Sequence, residues 1–289
     1  MSLKIVVLAK QVPDTRNVGK DAMRADGTIN RGALAAVFNP EDLNALEMAL
    51  SIKDRYDAEV VVVTMGPPRA AEIVREAIFR GADSGIVISD SRFAGSDTLA
   101  TSYALAMAVK KLFPVDLIFC GRQAIDGDTA QVGPQVAEKL NWPQITYAES
   151  VEELTEKTIS IKRRLERGVE VVKTQFPALV TVHASAKSCR FRHAVRVMKY
   201  KNASSLSECK AADFDPTQLW NHKPYLKIEE WNADTIDAEL LRLGLNGSPT
   251  KVKNIESVVL AHKDPEVVEN TDDAIMNLTR NLIDTHILS

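Results

Sequence analysis

Residues 121–140 read GRQAIDGDTAQVGPQVAEKL. The stretch holds Gly121, Gly127 and Gly133, Asp126 and Asp128, and Thr129, and it passes directly into an apolar-patterned helix. Glycines let a backbone come close to another group, and the first turn of a helix leaves N–H groups without intrahelical acceptors. The helix dipole adds to this, so such a start attracts an anion. The pattern suits a phosphate held at a helix start over Asp128–Val136, with Thr129 adding a hydroxyl. The bland alternative fits as well: Asp128 or Thr129 caps the helix and the glycines make a turn. Two carboxylates also repel a phosphate unless they cap the helix or face sugar hydroxyls.

Other chemistry is sparse. No GxGxxG follows the first strand-like run and no GxxxxGK[ST] occurs, which excludes the usual NAD fingerprint and the P-loop. His183, His193, His222, His262 and His286 show no HxxxH or HxH spacing. Cys120, Cys189 and Cys209 are odd in number and form no CxxC, so a disulfide framework or zinc site is not expected and a reducing compartment fits. No GxSxG or Cys/His arrangement marks a nucleophile, and no carboxylate is picked out as a general acid by its spacing. A chain without reactive side chains in pattern suits a protein whose cofactor does the chemistry. One basic run stands out: Lys187, Arg190, Arg192, Arg196, Lys199 and Lys201 fall within fifteen residues. On charge alone it reads as a solvated loop.

The elements around these residues alternate. LKIVVLA (3–9) is a continuous apolar run, as a parallel strand buried on both faces requires. A helix is expected over Asn39–Tyr56, with Pro40 at its start and Leu43, Leu46 and Leu50 at helical spacing. Strands follow at 58–66, 84–89 and 115–121, with helices between them at 67–83 and from Ser96 or Asp97 to Phe113. The expected class is α/β, a Rossmann-like parallel sheet with flanking helices. In such sheets ligands lie beyond the carboxyl ends of strands where strand order reverses. Here that crevice lies between the first and fourth strands, at AKQVPD and CGRQAIDGDTAQVGP, with TMGPP beside them. After about Gln144 the segments shorten and alternate, with a hairpin turn at RLERGVE around Gly168. Beyond Ser204 the chain is polar and weakly patterned, apart from a short helix near Asp234–Leu243 and a terminal one over Thr271–Thr285. The expected division is 1–203 for the nucleotide-binding domain and 204–289 for an extended C-terminal arm that buries its apolar groups on another chain, with a small subdomain as the alternative.

Composition bounds the class. The 289 residues are 45% hydrophobic and 26% charged, with net charge −3, as in an ordinary globular protein without a basic field for nucleic acid. The start has too short an apolar core for a signal peptide, and no apolar run approaches the length of a membrane span, so a cytoplasmic location is expected.

Several motifs carry a resemblance in sequence order: VVLAKQVPDT, NPEDLNALEMAL, VVTMGPPRAAEIVREAIFRGAD, CGRQAIDGDTAQVGPQVAEKLNWPQIT and, later, GLNGSPTKV. They resemble the β subunit of electron-transfer flavoproteins. The resemblance implies a heterodimer with an α subunit that carries FAD, and a nucleotide on the β subunit: AMP in one branch, a second FAD in the electron-bifurcating branch. It places the cofactor contacts on Ala9, on Asn39, Pro40, Glu41 and Asp42, and on Met65 and Gly66. It adds the loop residues Ala124, Ile125, Asp126, Gly127, Asp128, Thr129, Ala130, Gln131, Val132, Gly133, Pro134 and Gln135. TMGPP, FAGSDTLATS and IDGDTAQVGP look like the bifurcating type, so the resemblance favours FAD. It then implies NADH as hydride donor, ferredoxin or flavodoxin as one acceptor, and a flavin dehydrogenase as the other. It also makes RFRHAVRVMK a recognition loop for that dehydrogenase, through Arg190, Arg192, His193, Ala194, Val195 and Arg196. Ala194 stands where well-known members project a leucine, which puts an acyl-CoA dehydrogenase in doubt and leaves a hydroxy-acid type open. An alternative of another class is a universal-stress-like nucleotide-binding α/β protein without a redox role.

Overall fold

The computed structural model describes residues 2–14, 35–250 and 267–288. Two compact units divide the chain, Met1–Lys253 and Asn254–Ser289. The sheet of the first unit is built in the order expected of alternating segments. Its strands are β1 (Leu3–Leu8), β4 (Ala58–Met65), β5 (Ser84–Ile88), β6 (Leu117–Gly121), β7 (Gln144–Leu154), β8 (Thr158–Leu165), β9 (Gly168–Gln175), β10 (Ala178–Val182) and β11 (Glu229–Trp231). A separate short ribbon pairs β2 (Gln11–Pro13) with β3 (Ala36–Phe38). The nine strands lie in the order β11-β5-β4-β1-β6-β10-β7-β8-β9. All pairs from β11 to β7 are parallel, and β7-β8-β9 are antiparallel.

The helices explain why β1 is apolar throughout. α1 (Pro40–Lys53) covers one face of the sheet, where Leu3, Ile5 and Val7 pack with Leu46, Ala49 and Ile52. α3 (Thr98–Lys111) and α4 (Val132–Leu140) cover the other, where Val6 and Leu8 meet Ala104, Val109 and Val136. Both sets of β1 side chains are therefore buried. β1 lies between β4 and β6, so the strand order reverses between β1 and β6, as expected.

The region after residue 203 differs from the expected arm, and the compact unit runs on to Lys253. β11 extends the sheet beside β5, and Leu226 and Ile228 pack with Val74 and Ile78 of α2 (Ala71–Arg80). Ala233, Ile236 and Leu243 join the core under α3. These apolar side chains are too dispersed in sequence to show a period, and they reach the core one loop at a time. The helix expected near Asp234–Leu243 is instead a run of turns with one 3-10 turn at Leu240–Arg242. The second unit contains a helix at Asp272–Asp284, capped by the Thr271 side chain and carrying Ile275, Leu278 and Leu282 at helical spacing.

Candidate functional site

The site begins with the first turn of α1. Asn39 is fully buried; its amide donates to the Gln123 carbonyl at 2.9 Å and its side-chain oxygen accepts from the Ile125 N–H at 3.2 Å. Pro40 occupies the first helical position, where no N–H is needed. Glu41 accepts from Arg122 (2.9 Å) and from the Gln123 N–H (3.1 Å). Asp42 accepts from the Lys10 N–H and the Gly121 N–H, each at 2.8 Å. Burial pushes the Asp42 carboxyl up to about 7, against the pull of those two donors. This one turn clamps the exits of β1 and β6 together. Gly121 is required by that closeness, because a Cβ there would stand 2.5 Å from Asp42 Oδ1. The polar groups of Asn39, Glu41 and Asp42 are therefore engaged within the chain, and they shape the cradle from behind.

The loop from Arg122 to Gln131 lies over this clamp. Gly127 and Asp128 donate their N–H groups to the Ala124 carbonyl. Asp128 and Ala130 both adopt left-handed backbone, with φ of 48° and 53°. Alternating left-handed residues turn successive N–H groups toward a common concavity. The two aspartates neither cap a helix nor stand free: Asp126 pairs with Lys10 Nζ at 2.7 Å, and Asp128 accepts from the Gln123 amide at 2.7 Å. Helix α4 starts at Val132, later than the Asp128 start expected from sequence, and its N-cap Gln131 makes no side-chain cap. Gln131 instead accepts from Thr98 Oγ1 (2.8 Å), while Gln135 accepts from Ser102 Oγ (3.1 Å), so α3 holds the start of α4 in place. Asp97 caps α3 itself.

As a result, the N–H groups of Thr129, Ala130, Gln131, Val132 and Gly133 donate to no acceptor among the described residues. Neither Asp128 nor Thr129 is the cap that the bland reading required. Gly133 is a packing glycine, since its Cβ would fall 2.7 Å from Thr181 Cγ2 and 2.9 Å from Cys120 Sγ. Gly127 is different: a Cβ there meets nothing within 4 Å. Pro134 follows inside the first turn of α4. Ala9 and Met65 sit at the β1 and β4 exits, with Gly66 directly after. Thr64 Oγ1, one residue earlier, is buried without a hydrogen-bond partner among the described residues. Cys120 is buried in the core, and burial pushes its thiol well up, as a packing role requires.

These donors, at the strand-order reversal, fit a phosphate-bearing nucleotide. A family model described as electron transfer flavoprotein domain matches residues 26–207. The chain belongs to the electron transfer flavoprotein family. It is 43% identical over 251 residues to an electron transfer flavoprotein subunit beta of Clostridium acetobutylicum, covering 87% of this chain and 86% of that one. It is 41% identical over 285 residues to the acryloyl-CoA reductase electron transfer subunit gamma of Anaerotignum propionicum, with 95% and 98% covered. The caffeyl-CoA reductase-Etf complex subunit CarD of Acetobacterium woodii is 41% identical over 251 residues, with 86% of each chain covered. Among the described residues no helix is long and apolar enough to cross a membrane.

In this family member the basic run is far from a loose loop. Arg190 donates to Glu47 and to Asp54, and Lys187 also pairs with Glu47, which is 1% exposed. Burial alone would raise the Glu47 carboxyl, but the bonds from Arg190 and Lys187 hold it at about 2. Arg192 pairs with Glu76, and the His193 N–H donates to the Phe79 carbonyl. Arg196 donates to the Ile78 and Ala82 carbonyls, closing the C-terminal end of α2. Lys199 stands over the rings of Tyr200 and Tyr225. Ala194 opens the short helix α5 (Ala194–Tyr200). Beside the exposed Lys187 and Arg192, the segment also leaves apolar side chains in solvent: Phe191 is 94% exposed, Val195 68% and Met198 66%. Sequence reasoning favoured the charges and missed Phe191, although it lies within the RFRHAV motif. It also missed Lys10, Arg122 and Gln123, whose partners are distant in sequence and carry no local spacing signal.

Proposed function

We propose that this chain is the nucleotide-carrying β subunit of a heterodimeric electron transfer flavoprotein, and that its nucleotide is FAD. The observation that carries the reading is the row of N–H groups from Thr129 to Gly133 beside the open face of Gly127, above the β1/β6 crevice. Those donors and the start of α4 hold the pyrophosphate, while Ala9 and Met65 flank the adenosine half. When bound, FAD supplies hydride acceptance from NADH and one-electron release to a ferredoxin or flavodoxin and, through an α-subunit FAD, to a flavin dehydrogenase. The chain contributes binding, orientation and electrostatic surroundings, with no side chain assigned a proton-transfer step. The last unit, with Ile275, Leu278 and Leu282, packs on the α subunit, and Phe191, Val195 and Met198 face the dehydrogenase. The reductase-complex names of the relatives support a role within such an assembly.

The test is the absorbance spectrum and nucleotide content of the purified complex. Two FAD per heterodimer is the expected result. One FAD with AMP makes the chain an AMP-carrying electron shuttle. No nucleotide released from this subunit overturns the reading.

A further inference from the structure

Tyr147 is the one Phe, Tyr or Trp residue with left-handed backbone among the described residues, at φ 59°. For a bulky side chain this is a strained conformation, and such strain concentrates at functional sites. It arises at a break in the β7/β10 ladder: the register shifts between the Ile145 and Ala148 pairings, and the Tyr147 N–H turns to Thr181 Oγ1 at 3.3 Å. The ring is not used to fill the core; Tyr147 remains 36% exposed. Its neighbour is His183, directly after β10, with ring centroids 6.2 Å apart and planes tilted by 56°. Ser185 occupies His183 Nδ1 with both its N–H (3.1 Å) and its hydroxyl (2.9 Å), which itself donates to Glu149, so Nε2 is the ring nitrogen with no partner among the described residues. Arg122, the first residue of the cradle loop, lies within electrostatic reach of Tyr147. Its N–H donates to the Val182 carbonyl, tying the cradle to the end of β10.

Position decides what this pair can do. Dinucleotides lie across the strand-order reversal, with one half on each side. On one side are the β1 and β4 exits, with Ala9 and Met65. On the other side the strands are β6, β10 and β7, so Tyr147 stands two strand spacings, roughly 10 Å, beyond the start of the cradle loop. AMP ends at its phosphate and does not reach that far; a ligand of FAD length does. We propose that Tyr147 and His183 receive the ring end of an FAD-length dinucleotide, the planar ring against the phenol of Tyr147 and the unpartnered Nε2 of His183 hydrogen-bonding to the polar edge of the ring. The proposal rests on the FAD reading above. The ladder break and left-handed backbone re-aim the phenol at the carboxyl end of the parallel strands, where an unstrained strand residue would point to one face of the sheet.

The experiment compares two ligands that share the cradle. The full chain, purified in the complex it forms and stripped of nucleotide, is titrated with FAD and with AMP. Tyr147→Gly removes the ring, and glycine is at home at this φ, so the fold and thermal midpoint are kept or improved. It weakens FAD binding about tenfold, as loss of a stacked aromatic does, and changes AMP binding by less than about twofold. Tyr147→Phe keeps FAD affinity near wild type, and His183→Ala weakens FAD about threefold with AMP unchanged, as loss of one neutral hydrogen bond does. Unchanged FAD affinity in Tyr147→Gly overturns the proposal, and so does an equal loss for FAD and AMP, which would place the effect in the cradle. A wild type that binds AMP and not FAD also overturns it while leaving the cradle intact. A wild type that binds neither overturns the nucleotide reading as well.

Discussion

The cradle at 121–135 and the segment at 187–200 are both rich in charge, and they use it in opposite ways. In the cradle the side chains work inward: Glu41, Asp42, Asp126 and Asp128 all accept bonds from the chain, and main-chain N–H groups are what remain unmatched. In the segment the cations are paired: Lys187, Arg190, Arg192 and Arg196 bond to Glu47, Asp54, Glu76 and the end of α2, and the apolar Phe191, Val195 and Met198 are the exposed side chains without a bonding partner. The lesson is that charge content does not identify a binding surface. What identifies it is the group left without a partner once the fold has taken its own share.

Breaking the inward partners gives the largest effects. Asp42→Ala leaves the Lys10 N–H and the buried Gly121 N–H without acceptors and costs about 3 kcal/mol in a denaturant titration. It also empties the nucleotide site, because the β1 and β6 exits separate. Glu47→Ala costs about 2 kcal/mol, less because Lys187 and half-buried Arg190 can rehydrate, and it loosens 187–200 to limited proteolysis without loss of nucleotide. A proteolysis pattern that is unchanged would remove the claim that Glu47 anchors the segment.

The two regions also respond to pH with opposite sign. Asp42 is raised from 3.8 to about 7 on folding, so the folded state binds the extra proton. Its contribution to stability is complete below pH 3.8 and is lost as pH rises through 7. Glu47 is lowered from 4.5 to about 2, so its contribution is present above pH 4.5 and is lost as pH falls through 2. Thermal midpoints across pH 3–8 should show the high-pH decline flattened in Asp42→Asn and the low-pH decline flattened in Glu47→Gln. Identical profiles for Asp42→Asn and wild type would show that this carboxyl titrates in the ordinary range.

Smaller effects probe the outward-facing groups. Gly127→Val adds atoms where a Cβ meets nothing, so stability changes by less than about 0.5 kcal/mol while nucleotide affinity falls about tenfold. Full nucleotide content in that variant would move the ligand away from Gly127. Phe191→Asp leaves stability within about 0.5 kcal/mol and slows electron transfer to the dehydrogenase by about tenfold, through loss of an exposed apolar anchor. Arg192→Glu has the smallest effect, a roughly threefold slowing seen at low salt and screened at high salt, because this cation is already paired with Glu76. If Arg192→Glu outweighs Phe191→Asp at physiological salt, docking there is electrostatic.

Sequence alone determined the parts that repeat locally. The unbroken apolar run of β1, the helical spacing of Leu43, Leu46 and Leu50, and the hairpin turn at Gly168 follow from side-chain periodicity and turn chemistry, which each segment displays by itself. The placement of the crevice between the first and fourth strands also follows, since alternating segments allow few topologies. Tertiary structure decided the rest. The start of α4 moved from Asp128 to Val132 because Gln123 takes Asp128 and Thr98 takes Gln131. Residues 204–248 joined the main core because Leu226, Ile228, Ile236 and Leu243 each find a different neighbour, which leaves no period to read. Arg190 and Arg196 are drawn against the body of the fold, half-buried, because Glu47 and the end of α2 are packed beside them. Tyr147 and His183 meet because β10 enters the sheet between β6 and β7, an insertion that brings distant residues together through backbone pairing and that no local pattern announces.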